Sequence, residues 1–319
     1  MSTKTGQASA GHGWQNAPAL NKLAASQQGG NRGAQLWGVQ INGTLNTIYQ
    51  ITPGGGWSQW MGPTWAAPAG YPKQVYELAA AQQNNGCVQF FALDMKLQLW
   101  TTAQSAPGGD WIPWSGPNWN KAPQGMKRIA ASQQGGTRGA QLWGIADDYS
   151  LQTCYQLTAG GTWSAWQAWP ATPQNSQFIE ITAAQQNDGR VQLWALDTKR
   201  QLWSCYQTSP GGDWTAWSTP NWDGAPLLIN IAVCQQGGSR GAQLWGITED
   251  YLLVSDYQVS PGGNWSGWST GSWSNAPQCY ELAAAQQNNG CVELWIITLK
   301  QVLSGISQTS PGGNWSNWS

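Results

Sequence analysis

The chain is 319 residues long and only 9% of it is charged, with 14 Lys and Arg against 15 Asp and Glu. A net charge of −1 leaves no basic surplus to neutralise phosphates, which excludes nucleic acid as a partner. No apolar run approaches the ~20 residues of a membrane helix, and the single histidine, His12, excludes Ser-His-Asp, Cys-His and multi-histidine zinc chemistry.

In chain order, Met1 to Ala10 are polar and lack the apolar stretch of a secretory signal. This predicts a cytoplasmic protein, or one released by a non-classical route. The aromatic count is lopsided, 25 Trp against 9 Tyr and 3 Phe, with 40 Gly. The cysteines are Cys87, Cys154, Cys205, Cys234, Cys279 and Cys291. None forms a C-x-x-C pair or a metal-ligand spacing, so free thiols, no metal and no cofactor are expected.

Internal repetition dominates the rest. The Gln-Gln pair recurs at Gln27, Gln82, Gln133, Gln185, Gln235 and Gln286. A W-x-x-W unit begins at Trp57, Trp111, Trp163, Trp214, Trp265 and Trp315. Both markers return about every 51 residues, a period that signals a repeat architecture.

Each repeat reads as four short strands. In the third, Arg128 to Gln133 is an apolar strand, followed by a Gly-rich turn at Gly135 to Gly139. Ala140 to Ile145 is the second strand, Asp147-Asp148 a tight turn, and Ser150 to Leu157 the third strand. A Gly loop then leads to a fourth strand, Trp163 to Trp166. Asn42-Gly43 in the first repeat is a strong hairpin signal. No repeat carries a helical period. Four-stranded units of this length predict an all-β, six-bladed β-propeller with antiparallel strands. A tail at 1–13 precedes blades at 14–64, 65–118, 119–168, 169–221, 222–272 and 273–319.

Closure has two solutions: whole blades packing first on last, or an N-terminal stretch completing the last blade. The repeats also alternate. Odd ones carry Q-Q-G-G-x-R-G-A-Q-L-W-G with Arg32, Arg138 and Arg240; even ones carry Q-Q-N-[ND]-G, preceded by Glu77, Glu180 and Glu281. A two-blade module used three times predicts ligand sites of two kinds.

Three sets of residues are candidates. Second-strand Gln35, Gln89, Gln141, Gln192, Gln243 and Glu293 lie two residues before Trp or Phe and share their face. They read as inter-blade core or as polar groups for a ligand. Trp57 and Trp60, three apart, are expected to face opposite neighbours. Trp14, Trp65, Trp119, Trp169, Trp222 and Trp273 sit in polar connectors, as stacking platforms for a sugar face or as blade caps. By strand alternation they share a rim with the second hairpin turn. The Arg32, Arg138 and Arg240 rim is then a separate, alternative site, and those arginines are the residues that could meet at the channel. The acidic residues are spread by repeat and form no converging pair of the glycosidase kind, so no enzyme is expected.

The P-G-G-x-W-S-x-W ends, carried by Asp110-Trp111, Asp213 to Trp217 and Asn264 to Trp268, resemble the β-propeller lectins of the tachylectin/tectonin group and the bacterial propeller lectins. Length and blade number are also similar to six-bladed fucose-binding fungal lectins. The Arg position of those lectins is Gln35 here and their Glu position is Thr47, so the resemblance does not extend to fucose specificity. It implies a multivalent lectin or agglutinin holding glycans in pockets between adjacent blades, with no membrane insertion and with room for an oligomer. Neutral amides bind hydroxyls without heavy desolvation, and repetition converts weak sites into avidity. The alternative is a protein-interaction scaffold of the WD-repeat kind.

Overall fold

The computed structural model describes residues 13–62, 70–169, 172–173, 176–269, 273 and 275–319. Six antiparallel sheets follow one another along the chain. Their innermost strands are Leu20–Gln27, Val75–Gln82, Met126–Gln133, Phe178–Gln185, Leu228–Gln235 and Cys279–Gln286. Each packs beside the next, and Cys279–Gln286 packs beside Leu20–Gln27. The sheets therefore form a closed ring, the six-bladed propeller expected from the repeats.

Small side chains let these strands converge. Ala79, Ala81, Ala130, Ala183, Ala283 and Ala285 are buried where neighbouring blades come closest. Every inner strand bulges after its first residue. A bulge re-aims the side chain beside it. The residues that follow are Lys22, Glu77, Arg128, Glu180, Asn230 and Glu281, one per blade. They form a ring: Lys22 lies 3.3 Å from Glu281 and 3.8 Å from Glu77, and Arg128 lies 3.5 Å from Glu77 and 3.1 Å from Glu180. Asn230 donates to Glu281 at 2.9 Å. Arg32, Arg138 and Arg240 do not meet at the channel. These other side chains occupy it, and the three arginines turn away over tyrosines.

The middle strands run from Ala34–Gln40 in the first blade to Val292–Thr298 in the sixth and are buried on both faces. Each is paired to a third strand, from Leu45–Tyr49 to Leu303–Ser307. The fourth strand is rudimentary. It touches the third mainly at isolated bridges, such as Gln50 with Trp57 and Thr47 with Met61, and among the described residues only Gln167–Ala168 forms a strand of its own.

The expectation for W-x-x-W is therefore corrected. Trp57 and Trp60 pack into one and the same inter-blade core, and so do Trp111 and Trp114. The segment is not regular pleat, so a period of two does not apply to it.

The core is six aromatic wedges between blades. Typical is Trp143 of blade 3, edge-on to Trp169 of the following connector at 6.4 Å and to Trp214 of blade 4 at 5.9 Å. Edge-to-face indoles add to the apolar burial that dominates such a seam. At the ring closure the wedge is Trp14, Trp57 and Trp295, with Trp14 donating to the Ser319 carbonyl at 3.3 Å. Blade 6 supplies its own last segment, pairing Gly305 with Ser319, so the blades are whole and the first packs on the last.

Candidate functional site

The glutamines are explained by seams. Five middle-strand glutamines are buried, and each donates its amide to a hydroxyl on the facing third strand. The pairs are Gln35 with Thr47, Gln89 with Thr101, Gln141 with Thr153, Gln192 with Ser204 and Gln243 with Ser255, at 2.5 to 3.3 Å. The second Gln of each Gln-Gln pair is also buried. In odd blades it accepts from the next blade: Gln28 from Gln104, Gln134 from Gln207 and Gln236 from Gln308, at 2.6 to 2.9 Å. In even blades Gln83 and Gln287 accept from Gly160 and Gly54 backbones at 2.6 Å.

The asparagine of the even motif completes the design. Asn288 donates to the Arg32 carbonyl at 2.6 Å and accepts from Gln27 at 2.7 Å. Asn84 and Asn187 clasp the Arg138 and Arg240 carbonyls in the same way. Each odd turn is clamped on its other side as well. A Cβ at Gly29, Gly135 or Gly237 would come within 2.1 to 2.2 Å of a carbonyl in the next blade. The odd and even motifs are thus two halves of one joint, which strand periodicity alone does not reveal.

Held this way, the arginine side chains reach outward. Arg32 lies 4.2 Å over the Tyr49 ring, Arg138 4.1 Å over Tyr155 and Arg240 4.1 Å over Tyr257. None of the three makes an ion pair among the described residues. Arg190 of blade 4 differs, since it is tied to Asp188 at 2.6 Å.

Pockets open between adjacent blades beside these stacks. The pocket between blades 3 and 4 measures about 740 Å³ and brings together Arg138, Gln141, Tyr155, Trp169 and Trp214. That between blades 5 and 6 measures about 650 Å³ and brings together Arg240, Gln243, Tyr257, Trp273 and Trp315. Two pockets with an even blade first, at the seams after blades 2 and 6, are smaller, and among the described residues no arginine lines them. Gln89, Thr101, Trp119 and Trp163 line about 370 Å³ between blades 2 and 3, and Glu293, Ser307 and Trp57 line about 250 Å³ between blades 6 and 1.

Two expectations change here. The connector Trp and the arginine do not belong to separate rims. Trp169 lines the same pocket as Arg138, and Trp273 the same pocket as Arg240, because the connector lays its indole into the groove over which the guanidinium reaches. Nor are the connector tryptophans free of a core role. Trp14 and Trp273 are 1% and 4% exposed, and Trp273 donates to Ser255 at 2.8 Å. Trp119, Trp169 and Trp222 are half-buried, each edge-on to a fourth-strand Trp at 4.8 to 5.0 Å. Trp65 and His12 lie outside the described residues.

Burial sets the electrostatics. It pushes the Glu293 carboxyl up to about 8 and Glu281 to about 7, in Glu281 against the opposing pull of Lys22. Asp256 rises to about 7 through burial and the neighbouring Asp223 carboxyl. Lys22 is held above its ordinary range. Burial opposes its charge, and the carboxylates of Glu281, Glu77 and Glu180 outweigh that. Among the described residues no group of three His, Cys, Asp or Glu is placed to hold a metal, and all six cysteines are free and buried.

No protein-family model and no curated protein matches the chain. Solved structures do. A lectin from Burkholderia pseudomallei, BP39L, is similar at 20% identity with a TM-score of 0.66, over 92% of this chain and 82% of that one. The Aleuria aurantia lectin, described as a six-bladed β-propeller with a novel fucose recognition mode, is similar at 15% identity with a TM-score of 0.65, over 93% and 94%. The SapL1 lectin, solved in complex with α-methyl fucoside, is similar at 14% identity with a TM-score of 0.64, over 96% and 97%. At such identities the likeness is one of fold. It places the chain among six-bladed β-propellers whose solved representatives include lectins. No described helix is long and apolar enough to cross a membrane.

Proposed function

We propose that the protein is a multivalent carbohydrate-binding protein that holds small glycans in pockets between adjacent blades. The observation that carries this reading is the three-fold recurrence of an unpaired arginine stacked on tyrosine. In at least two of the three cases it stands in a pocket walled by tryptophan. A guanidinium offers a planar fork of donors to neighbouring sugar hydroxyls. The half-buried indole of Trp169 offers a face to the C–H side of the ring. Gln141 supplies a buried carbonyl oxygen that has no donor among the described residues.

A single such site binds weakly, near millimolar or about −4 kcal/mol. Several on one rigid ring raise avidity by roughly 10²–10⁴ on a multivalent target. The inter-blade pockets carry recognition groups, and the glutamates that converge, Glu77, Glu180 and Glu281, do so in the channel, where Lys22 and Arg128 pair with them, which supports a binder over an enzyme. Lectins among the similar solved structures, one with a bound fucoside, support the same reading. A glycan array followed by sugar-competed haemagglutination tests it. The reading requires hits that a monosaccharide competes away, and a blank array rejects it.

A further inference from the structure

The seam between blades 6 and 1 departs from the other five at two matched positions. Where five blades carry Gln on the middle strand, blade 6 carries Glu293. Where those blades carry the Thr or Ser that receives the Gln amide, blade 6 carries Gly305. The reason for the glycine is steric. A Cβ at Gly305 would stand 2.9 Å from the Trp14 ring and 3.1 Å from Trp295, so the indole that locks the ring shut uses the space of the missing hydroxyl.

The consequence is chemical. Glu293 is 3% exposed and receives a hydrogen bond from Gln287, yet its Oε2 has no partner among the described residues. It lines a pocket of about 250 Å³ whose other wall is Trp57 of blade 1. Among the described residues no Lys or Arg lines that pocket, and Cys291 is its other titratable side chain. Blade 1 contributes only uncharged groups to it, Gln50, Gly54, Gly55 and Trp57. In the pockets lined by Arg138 and Arg240 an ammonium ion would be repelled; here it meets a carboxyl oxygen lacking a donor and an indole wall that attracts cations.

We propose that the pocket between blades 6 and 1 takes a sugar bearing a free amine, with its ammonium group on Glu293 Oε2 and its ring against Trp57. The inference rests on the carbohydrate-binding reading and gives one site of the ring a ligand class of its own. An uncharged carboxyl in this position is an isostere of the glutamine it replaces; an incoming ammonium draws off its proton and converts it to the anion. Binding an amino sugar therefore releases a proton to the buffer, whereas binding a neutral sugar does not.

Calorimetry with glucosamine and with N-acetylglucosamine, each in two buffers of different ionisation enthalpy, tests this on the intact chain. The expected result is one glucosamine per chain bound about tenfold more tightly than its acetylated form, the factor given by ~1.4 kcal/mol of charge-assisted hydrogen bonding. The heat should depend on the buffer for the amine alone. Glu293→Gln should erase both the preference and the buffer dependence. Equal binding of the two sugars, or a preference that survives in Glu293→Gln, overturns the proposal. The wild-type comparison decides the matter should the variant fail to fold. If neutral glycans bind on the array and glucosamine shows no preference, only this inference falls. If no glycan binds at all, the carbohydrate reading falls with it.

Discussion

The Arg138 guanidinium lies 4.1 Å above the Tyr155 ring and pairs with no carboxylate among the described residues. On the carbohydrate-binding reading, an arginine with its charge unspent, fixed in direction by a ring and lining a pocket with Trp169, is a recognition group. Its removal costs little packing, since an exposed cation–π contact is worth ~0.5–1 kcal/mol. Arg138→Ala should therefore leave the melting temperature almost unchanged while lowering the number of glycans bound per chain by one. A variant that unfolds, or that binds the full complement, shows the stack to be structural.

Ring closure gives a second prediction. Trp14→Ala removes a fully buried indole and should cost about 3–5 kcal/mol in urea unfolding. Gly305→Thr restores the residue type of the other blades but drives its side chain into the Trp14 ring. It should cost about 1–3 kcal/mol, as overpacking does. A neutral Gly305→Thr would mean that Trp14 does not hold the seam.

The buried carboxyls set a pH dependence. Glu281 rises from 4.5 to about 7 and Glu293 from 4.5 to about 8. Asp256 rises from 3.8 to about 7. In each case the folded state holds a proton that the unfolded chain has released, so each contribution to stability is present at acid pH and is lost as pH rises through the folded value. Melting temperature should fall from pH 4.5 towards about 8. Glu293→Gln should flatten the upper part of that fall. A melting temperature that climbs through this window contradicts the assignment.

The six thiols should be silent until unfolding. Burial pushes Cys279 up to about 12 and raises Cys205 well above its ordinary range, and a thiol that does not ionise does not react. A thiol reagent should label the native protein slowly and count six on non-reducing denaturation. A count of four or fewer would require a disulfide.

Much of this was legible in the sequence. The Gln-Gln and W-x-x-W markers repeat often enough to give blade number and strand order. The odd-even alternation pointed to two kinds of seam. What stayed hidden were directions. The fourth strand bridges its neighbour at isolated points, so no alternation rule could tell that Trp57 and Trp60 pack into one core. Strand alternation also set Trp169 and Arg138 on different rims, yet both long side chains fold into one groove. The bulge that aims Glu77 and Arg128 into the channel leaves no residue signature. Glu293 was visible as the odd member of its column, but its meaning depended on Gly305, and Gly305 on Trp14 more than 290 residues away in the chain.

The central claim is that inter-blade pockets bind sugar in threes. Isothermal titration of the best monovalent hit from the glycan array measures this directly. Three equivalent high-affinity sites per chain are predicted, or six sites of which those three form the tighter class, with the tighter class lost in a chain lacking Arg32, Arg138 and Arg240 together. A single site per chain would contradict the account and favour a surface built for one asymmetric protein partner.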